Sequence, residues 1–139
     1  MKRVNSSSSA LRVLVVDDNA INRDILGILI EDFFSVIPEF AANGVLALEC
    51  ARARYYDLIL MDIFMPEMNG VEAAEKISAL PAYVAAPSII VGLTADYSLS
   101  LQQECIRAGM VACYSKPFDT DSLRDLLTHY DALASKFVS

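Results

Sequence analysis

The chain has 139 residues, with 11 Lys+Arg against 18 Asp+Glu, a formal net charge of −7 and a hydrophobic fraction of 55%. That length suits one domain, and so large an apolar fraction excludes disorder as the main state. The acidic balance argues against a nucleic-acid partner, whose affinity would rest on clustered Lys and Arg, and gives no reason to expect attraction to an anionic membrane.

Residues 1–9 carry Lys2 and Arg3 with no apolar core behind them, so they do not form a secretory signal. No apolar stretch reaches the roughly 18–20 residues of a spanning helix. The expected organisation is a flexible leader over 1–10 and a single domain over 11–139. Cys50, Cys105 and Cys113 are odd in number and lack metal-ligand spacing, which predicts reduced thiols in a cytoplasmic protein.

Residues 11–16 form a short β-branched run that stops at Asp17 and Asp18. Apolar positions at helical spacing follow over 20–32. Residues 35–40 read as a short strand, which Pro38 assigns to a sheet edge or a bulge. Asn43-Gly44 opens a helix to about residue 54, and 57–61 is a buried-type strand ending on Asp62. Asn69-Gly70 leads into a helix to about residue 80. Residues 81–87 read as an Ala-rich loop with a proline at each end. A fourth strand over 88–93 ends on Thr94, and a helix over 99–108 is closed by Gly109 at the place of a left-handed cap. A fifth strand over 111–115 ends on Lys116-Pro117. The last helix shows Leu123, Leu126, Leu127, Tyr130, Leu133, Ala134 and Phe137 at the i, i+3, i+4, i+7 spacing, with Asp119 or Thr120 as its cap. Apolar strands alternating with helices predict an α/β fold, a (βα)5 parallel sheet covered on both faces.

In an open α/β sheet, ligands bind beyond the carboxyl ends of the strands. Here those ends carry Asp17 and Asp18, Asp62, Thr94 and Lys116, while the second strand leads only to Ala41 and Ala42. Three neighbouring carboxylates do not all stay ionised without counter-charge. Either one holds a proton or a cation sits among them. Lys116 supplies one positive charge, and Mg²⁺ suits the remainder because it takes a few carboxylates and keeps open positions for water and phosphate oxygens. Such a cation, a Lys and a hydroxyl around a carboxylate make a phosphoryl-accepting site. Each residue also has an ordinary reading. The acids suit turns or helix caps, Thr94 suits a cap, and Lys116 suits solvent. His129, with no partner motif, reads as a surface histidine.

The set Val15-Val16-Asp17-Asp18, Met61-Asp62-Ile63-Phe64-Met65-Pro66, Leu93-Thr94-Ala95 and Ser115-Lys116-Pro117-Phe118 resembles the receiver domains of two-component response regulators. Asp18-Asn19-Ala20-Ile21-Asn22-Arg23 and Met65-Pro66-Glu67-Met68-Asn69-Gly70 resemble the receivers attached to hybrid sensor histidine kinases in particular. The resemblance covers about residues 11–137. It implies a doubly wound, flavodoxin-like sheet of strand order 2-1-3-4-5. It implies Asp62 as phosphoacceptor and Mg²⁺ held by Asp17, Asp18, Asp62 and the backbone carbonyl of Phe64. It also implies Lys116 paired with the phosphoryl group, Thr94 turning its hydroxyl onto that group, and a cis Lys116–Pro117 bond. The partner is then a sensor histidine kinase or a histidine phosphotransfer domain in a phosphorelay, with the parent chain, if there is one, a histidine kinase. The receiver itself is not an enzyme on free substrates.

Two positions depart from the family pattern. The aromatic switch usual three residues before the Lys is replaced by Cys113, and Tyr114, one residue later, points to the other face of its strand. Phe64 stands where many relatives carry a polar residue beside the path of an attacking water. The first helix has a feature of its own. Ile21, Ile25, Leu26, Ile28, Leu29 and Ile30 span roughly 200° of its circumference at about 100° per residue, wider than a sheet-packed stripe needs. Ile21, Ile25 and Ile28 are therefore expected to serve partner docking, against the plainer reading of rim residues shielded by a neighbouring helix. Two other functions compete. An aspartyl-nucleophile phosphatase lacks its Asp-x-Asp motif and cap domain here, and an unphosphorylated interaction module would not need all five site residues. With nothing after Phe137 to act on a signal, output is expected from a partner or a neighbouring domain.

Overall fold

Each aliphatic run is followed by a segment long enough to return the chain to the same end of the sheet, so the strands align in parallel. The structure, a computed structural model, describes residues 11–129. Strands β1 (Val13–Val16), β2 (Glu39–Ala41), β3 (Leu58–Asp62), β4 (Ile89–Thr94) and β5 (Ala112–Ser115) lie in the order β2-β1-β3-β4-β5, every pair parallel. This is the flavodoxin-like order expected from the sequence. Helices α1 (Ala20–Phe34), α2 (Gly44–Ala53), α3 (Gly70–Ser78), α4 (Pro81–Ala85), α5 (Leu99–Arg107) and α6 (Thr120–His129) complete the chain in between.

Strand side chains alternate faces, which divides the core in two. Leu14, Val16, Ile59 and Met61 pack with Ala47 and Ala51 of α2, Ala73 and Ile77 of α3 and Cys105 of α5. Val13, Val15, Leu58, Leu60, Val91 and Leu93 pack with Leu26, Ile30 and Phe34 of α1 and with Leu123 and Leu126 of α6. Burial on both faces explains why β1, β3 and β4 are fully buried along their length and read as unbroken apolar runs.

The helix starts are fixed by side chains that accept an orphan amide three residues on. Asn19, Asn43, Asn69 and Ser98 do so for α1, α2, α3 and α5. Asp119 is the acceptor at α6, taking the Ser122 amide at 3.1 Å. Gly109 follows α5 with φ 102°, the left-handed conformation expected there.

Three segments differ from the sequence reading. Helix α1 runs on to Phe34 before Ser35 closes it at φ 59°. The β-branched run that follows is therefore a connection, and only Glu39–Ala41 pairs, against Leu14–Val16 of β1. Pro38 stands just ahead of that edge strand. Residues 81–87 are not all loop. Pro81 occupies the first turn of α4, where its missing N–H costs nothing, and alanines favour helix. Buried Tyr83 anchors this turn. Its hydroxyl accepts the Tyr56 amide at 3.1 Å and donates to the Arg54 carbonyl at 3.0 Å. The expected leader over 1–10 lies outside the described residues, as do Tyr130, Leu133, Ala134 and Phe137. Among the described residues no helix is long and apolar enough to cross a membrane.

Candidate functional site

The order of strands reverses between β1 and β3, which opens a crevice beyond their carboxyl ends. Asp17 leaves β1, Asp62 closes β3, Thr94 closes β4 and Lys116 follows β5. The structure brings all four together with Asp18. Carboxylate oxygens of Asp17, Asp18 and Asp62 lie within 4.8 Å of one another. Lys116 Nζ lies 3.1 Å from Asp62 Oδ1 and 3.8 Å from Asp17 Oδ2.

The capping roles that these residues could have filled belong to others, although Asp17 and Thr94 each accept the amide two residues on, as turn residues do. Asn19, Asn69 and Ser98 cap the helices that Asp17, Asp62 and Thr94 could have capped. Asp17 is 1% exposed. Its Oδ1 accepts the Asn19 amide at 2.9 Å, while its Oδ2 has no hydrogen bond. A buried carboxylate oxygen with no hydrogen bond, its Lys116 ion pair stretched to 3.8 Å and two further acids beside it, fits a hard oxygen-seeking cation such as Mg²⁺. Asp18 is the exposed member of the three.

Burial pushes the Asp62 carboxyl above the usual carboxylate range. The Lys116 hydrogen bond and charge oppose that shift, and the charges of Asp17 and Asp18 reinforce it. The site therefore disfavours three bare negative charges. The loop after Asp62 folds back tightly. The Gly70 amide donates to the Ile63 carbonyl at 2.8 Å. A side chain at Gly70 would press on the Asp62 carbonyl oxygen and lie 2.9 Å from Ile63 Cα. Phe64, inside this loop, is 57% exposed.

Thr94 is fully buried. Its hydroxyl donates to the Asp96 carbonyl at 3.2 Å and accepts the Asp96 amide at 2.9 Å, so it is turned into its own loop. Its carbonyl accepts the Lys116 amide at 2.8 Å, tying the two strand ends together. The Lys116–Pro117 bond is cis. On β5, Cys113 packs into the core face that holds Cys105. Burial and the neighbouring Cys113 push the Cys105 thiol up to about 12, and burial likewise raises Cys113. All three cysteines are free thiols. Tyr114 points to the opposite face, as the one-residue shift requires. Its hydroxyl donates to Asp125 Oδ2 at 2.6 Å, and its ring stands edge-on to Phe118 at 5.3 Å.

Ile21, Ile25 and Ile28 are 69%, 57% and 62% exposed, whereas Leu26 and Ile30 of the same helix are buried. A groove between α1 and the Lys116-Pro117 turn, about 180 Å³ in volume, connects this stripe to the acids through Ile25, Asn22 and Asp17. His129 is exposed on α6 and lies 3.6 Å from Asp125. Sequence reasoning gave no role to Arg23, whose Nη1 donates to the Asp17 carbonyl at 2.8 Å. No sequence signal marks it, since the contact is a side chain reaching back six residues to a main-chain carbonyl.

The family model for the response regulator receiver domain matches residues 13–128. The signal transduction histidine-protein kinase BarA of Escherichia coli is 36% identical over 126 residues, covering 91% of this chain and 13% of that protein. The chain thus spans about an eighth of that relative's length. Among solved structures, one match is the co-crystal structure of the Saccharomyces cerevisiae histidine phosphotransfer signaling protein Ypd1 with the receiver domain of its downstream response regulator Ssk1. It aligns with a TM-score of 0.79 at 28% identity, covering 90% of this chain and 91% of that one. The receiver domain of the Pseudomonas aeruginosa sensor histidine kinase PA1611, with magnesium coordinated in its active-site cleft, aligns with a TM-score of 0.76 at 27% identity. That match covers 88% of this chain and 98% of the other. The reversed sheet, the acids beyond β1 and β3 and a family match over almost all the described residues agree: this chain belongs to the response regulator receiver domains of two-component signalling, of the type found in hybrid sensor histidine kinases.

Proposed function

We propose that this receiver takes a phosphoryl group from a phosphohistidine onto Asp62 in a Mg²⁺-dependent reaction. The acceptor would then switch partner interactions or pass the group on to a histidine phosphotransfer domain. The observation that carries the reading is the juxtaposition of Asp62 with Lys116 at 3.1 Å beside an Asp17 Oδ2 that is buried without a hydrogen bond.

Asp17, Asp18, Asp62 and the Phe64 backbone carbonyl would hold the Mg²⁺. When bound, the cation offsets negative charge on the phosphoryl oxygens. An Asp62 carboxylate oxygen bonds to phosphorus as the bond from phosphorus to the donor imidazole nitrogen breaks. That nitrogen keeps the electron pair and takes up a proton. Lys116 leaves its Asp62 contact for the arriving phosphoryl oxygens. Thr94 gives up its two bonds to Asp96 and turns its hydroxyl to the same group. The domain acts on its own carboxylate, and not on free substrates, in the cytoplasm. Exposed Ile21, Ile25 and Ile28 beside the site suit docking of the helices of the histidine-bearing partner, a sensor histidine kinase or a phosphotransfer domain. A complex of that general kind is the subject of the Ypd1–Ssk1 structure.

Incubation with a small phosphodonor and Mg²⁺ tests the reading. Wild type should incorporate one phosphoryl group per chain, while Asp62→Ala and wild type in EDTA should incorporate none. Labelling that survives in Asp62→Ala would sink the assignment.

A further inference from the structure

Carboxylates on a turn point only as steadily as the turn's peptides are held. Three bonds hold this one. The Asp17 amide donates to the Ala41 carbonyl of β2 at 3.2 Å. Asp17 Oδ1 accepts the Asn19 amide at 2.9 Å. The Asp17 carbonyl, part of the peptide leading into Asp18, accepts Arg23 Nη1 at 2.8 Å. The Arg23 backbone amide in turn donates to the Asn19 carbonyl at 3.0 Å. One residue in the first turns of α1 therefore grips the Asp17–Asn19 turn twice, by its own backbone and by its guanidinium.

The guanidinium bonds a carbonyl, and that choice has a chemical consequence. A guanidinium on the Asp17 or Asp18 side chains would occupy the oxygens and cancel the charge that a cation needs. On the main chain it fixes the peptide plane and leaves the side-chain oxygens of both residues untouched. We infer that Arg23 is a positioning residue for the cation site, holding the Asp17–Asp18 peptide so that Asp17 Oδ2 and the Asp18 carboxylate are aimed in advance at the space facing Asp62. The inference rests on reading this acidic cluster as a Mg²⁺ site.

The test is Mg²⁺ binding itself, by isothermal titration calorimetry on wild type, Arg23→Gln, Arg23→Met and Arg23→Lys. Circular dichroism and thermal melting in EDTA report whether each is folded. A group that orients a metal ligand is worth roughly 10- to 100-fold in affinity. Folded Arg23→Gln and Arg23→Met should bind Mg²⁺ about tenfold more weakly, and Arg23→Lys, which keeps a cationic donor, should recover most of the loss. Unchanged affinity in either folded neutral variant overturns the inference. So does a Lys variant as weak as Gln. Failure of both neutral variants to fold overturns it too, since Arg23 would then brace the fold and not aim the site. Absence of Mg²⁺ uptake by wild type would overturn the site reading itself, and the inference with it, and would be visible before any variant is compared.

Discussion

Two residues beyond Asp62, in the loop that follows it, Phe64 leaves more than half of its surface in solvent. A water hydrolysing an acyl phosphate on Asp62 needs a polar neighbour to orient it, and a phenyl ring offers neither donor nor acceptor. Phe64→Asn supplies both. One added hydrogen bond contributes about 0.5–1.5 kcal/mol, so dephosphorylation should speed up roughly 2- to 10-fold. Loss of phosphoryl label after removal of the donor measures it, and a slower variant would contradict the account. At this scale the sequence was informative wherever a polar residue ends an apolar run. Asp17, Asp62, Thr94 and Lys116 stood out because strand ends converge by topology. Arg23 did not, because nothing in a linear pattern says that a long side chain reaches back to a main-chain carbonyl six residues earlier. Nor could the pattern say that the Thr94 hydroxyl would be turned towards Asp96.

Helix α1 carries an apolar stripe wider than its contact with the sheet. Leu26, Ile30 and Phe34 fill the core, and Ile21, Ile25 and Ile28 are left to solvent. Because Ile28 is exposed, Ile28→Glu should alter stability by less than about 0.5 kcal/mol. If the stripe is the docking surface, the same change should slow phosphotransfer from a phosphohistidine partner about tenfold or more. Labelling by a small phosphodonor should be unaffected. Equal slowing in both assays would point to a damaged site, and no slowing in either would remove α1 from the interface. The width of this stripe was readable from periodicity alone. The strand drawn over 35–40 and the loop drawn over 81–87 were misread for a shared reason: pairing partners and burial decide such short pieces. Val36 and Ile37 have β-forming side chains but no strand to meet. The segment after Pro81 is helical in a place where the buried Tyr83 finds two backbone partners for its hydroxyl.

For the molecule as a whole, the acidity matters most where it is concentrated. Asp62 has its carboxyl raised, first by burial and then by neighbouring acids. A group raised in the folded state adds stability at low pH and loses it as pH rises through the folded value. In EDTA at neutral pH, Asp62→Asn should therefore melt at a higher temperature than wild type. The gap should narrow as pH falls towards the ordinary carboxylate range, and Mg²⁺ should narrow it at neutral pH by stabilising wild type alone. Thermal melts across pH, with and without Mg²⁺, check both. A variant that melts below wild type in EDTA would show that the charged Asp62–Lys116 contact outweighs the strain of the acids. The sheet has one more consequence at this scale. Its two outer strands are short, at three and four residues, and a proline lies near each: Pro38 directly ahead of β2 and Pro117 two residues past the end of β5. Such borders present few free amides and carbonyls in a row, so they are poor templates for strand-by-strand growth into aggregates. Borders this short leave little backbone along which a second copy of the chain could pair.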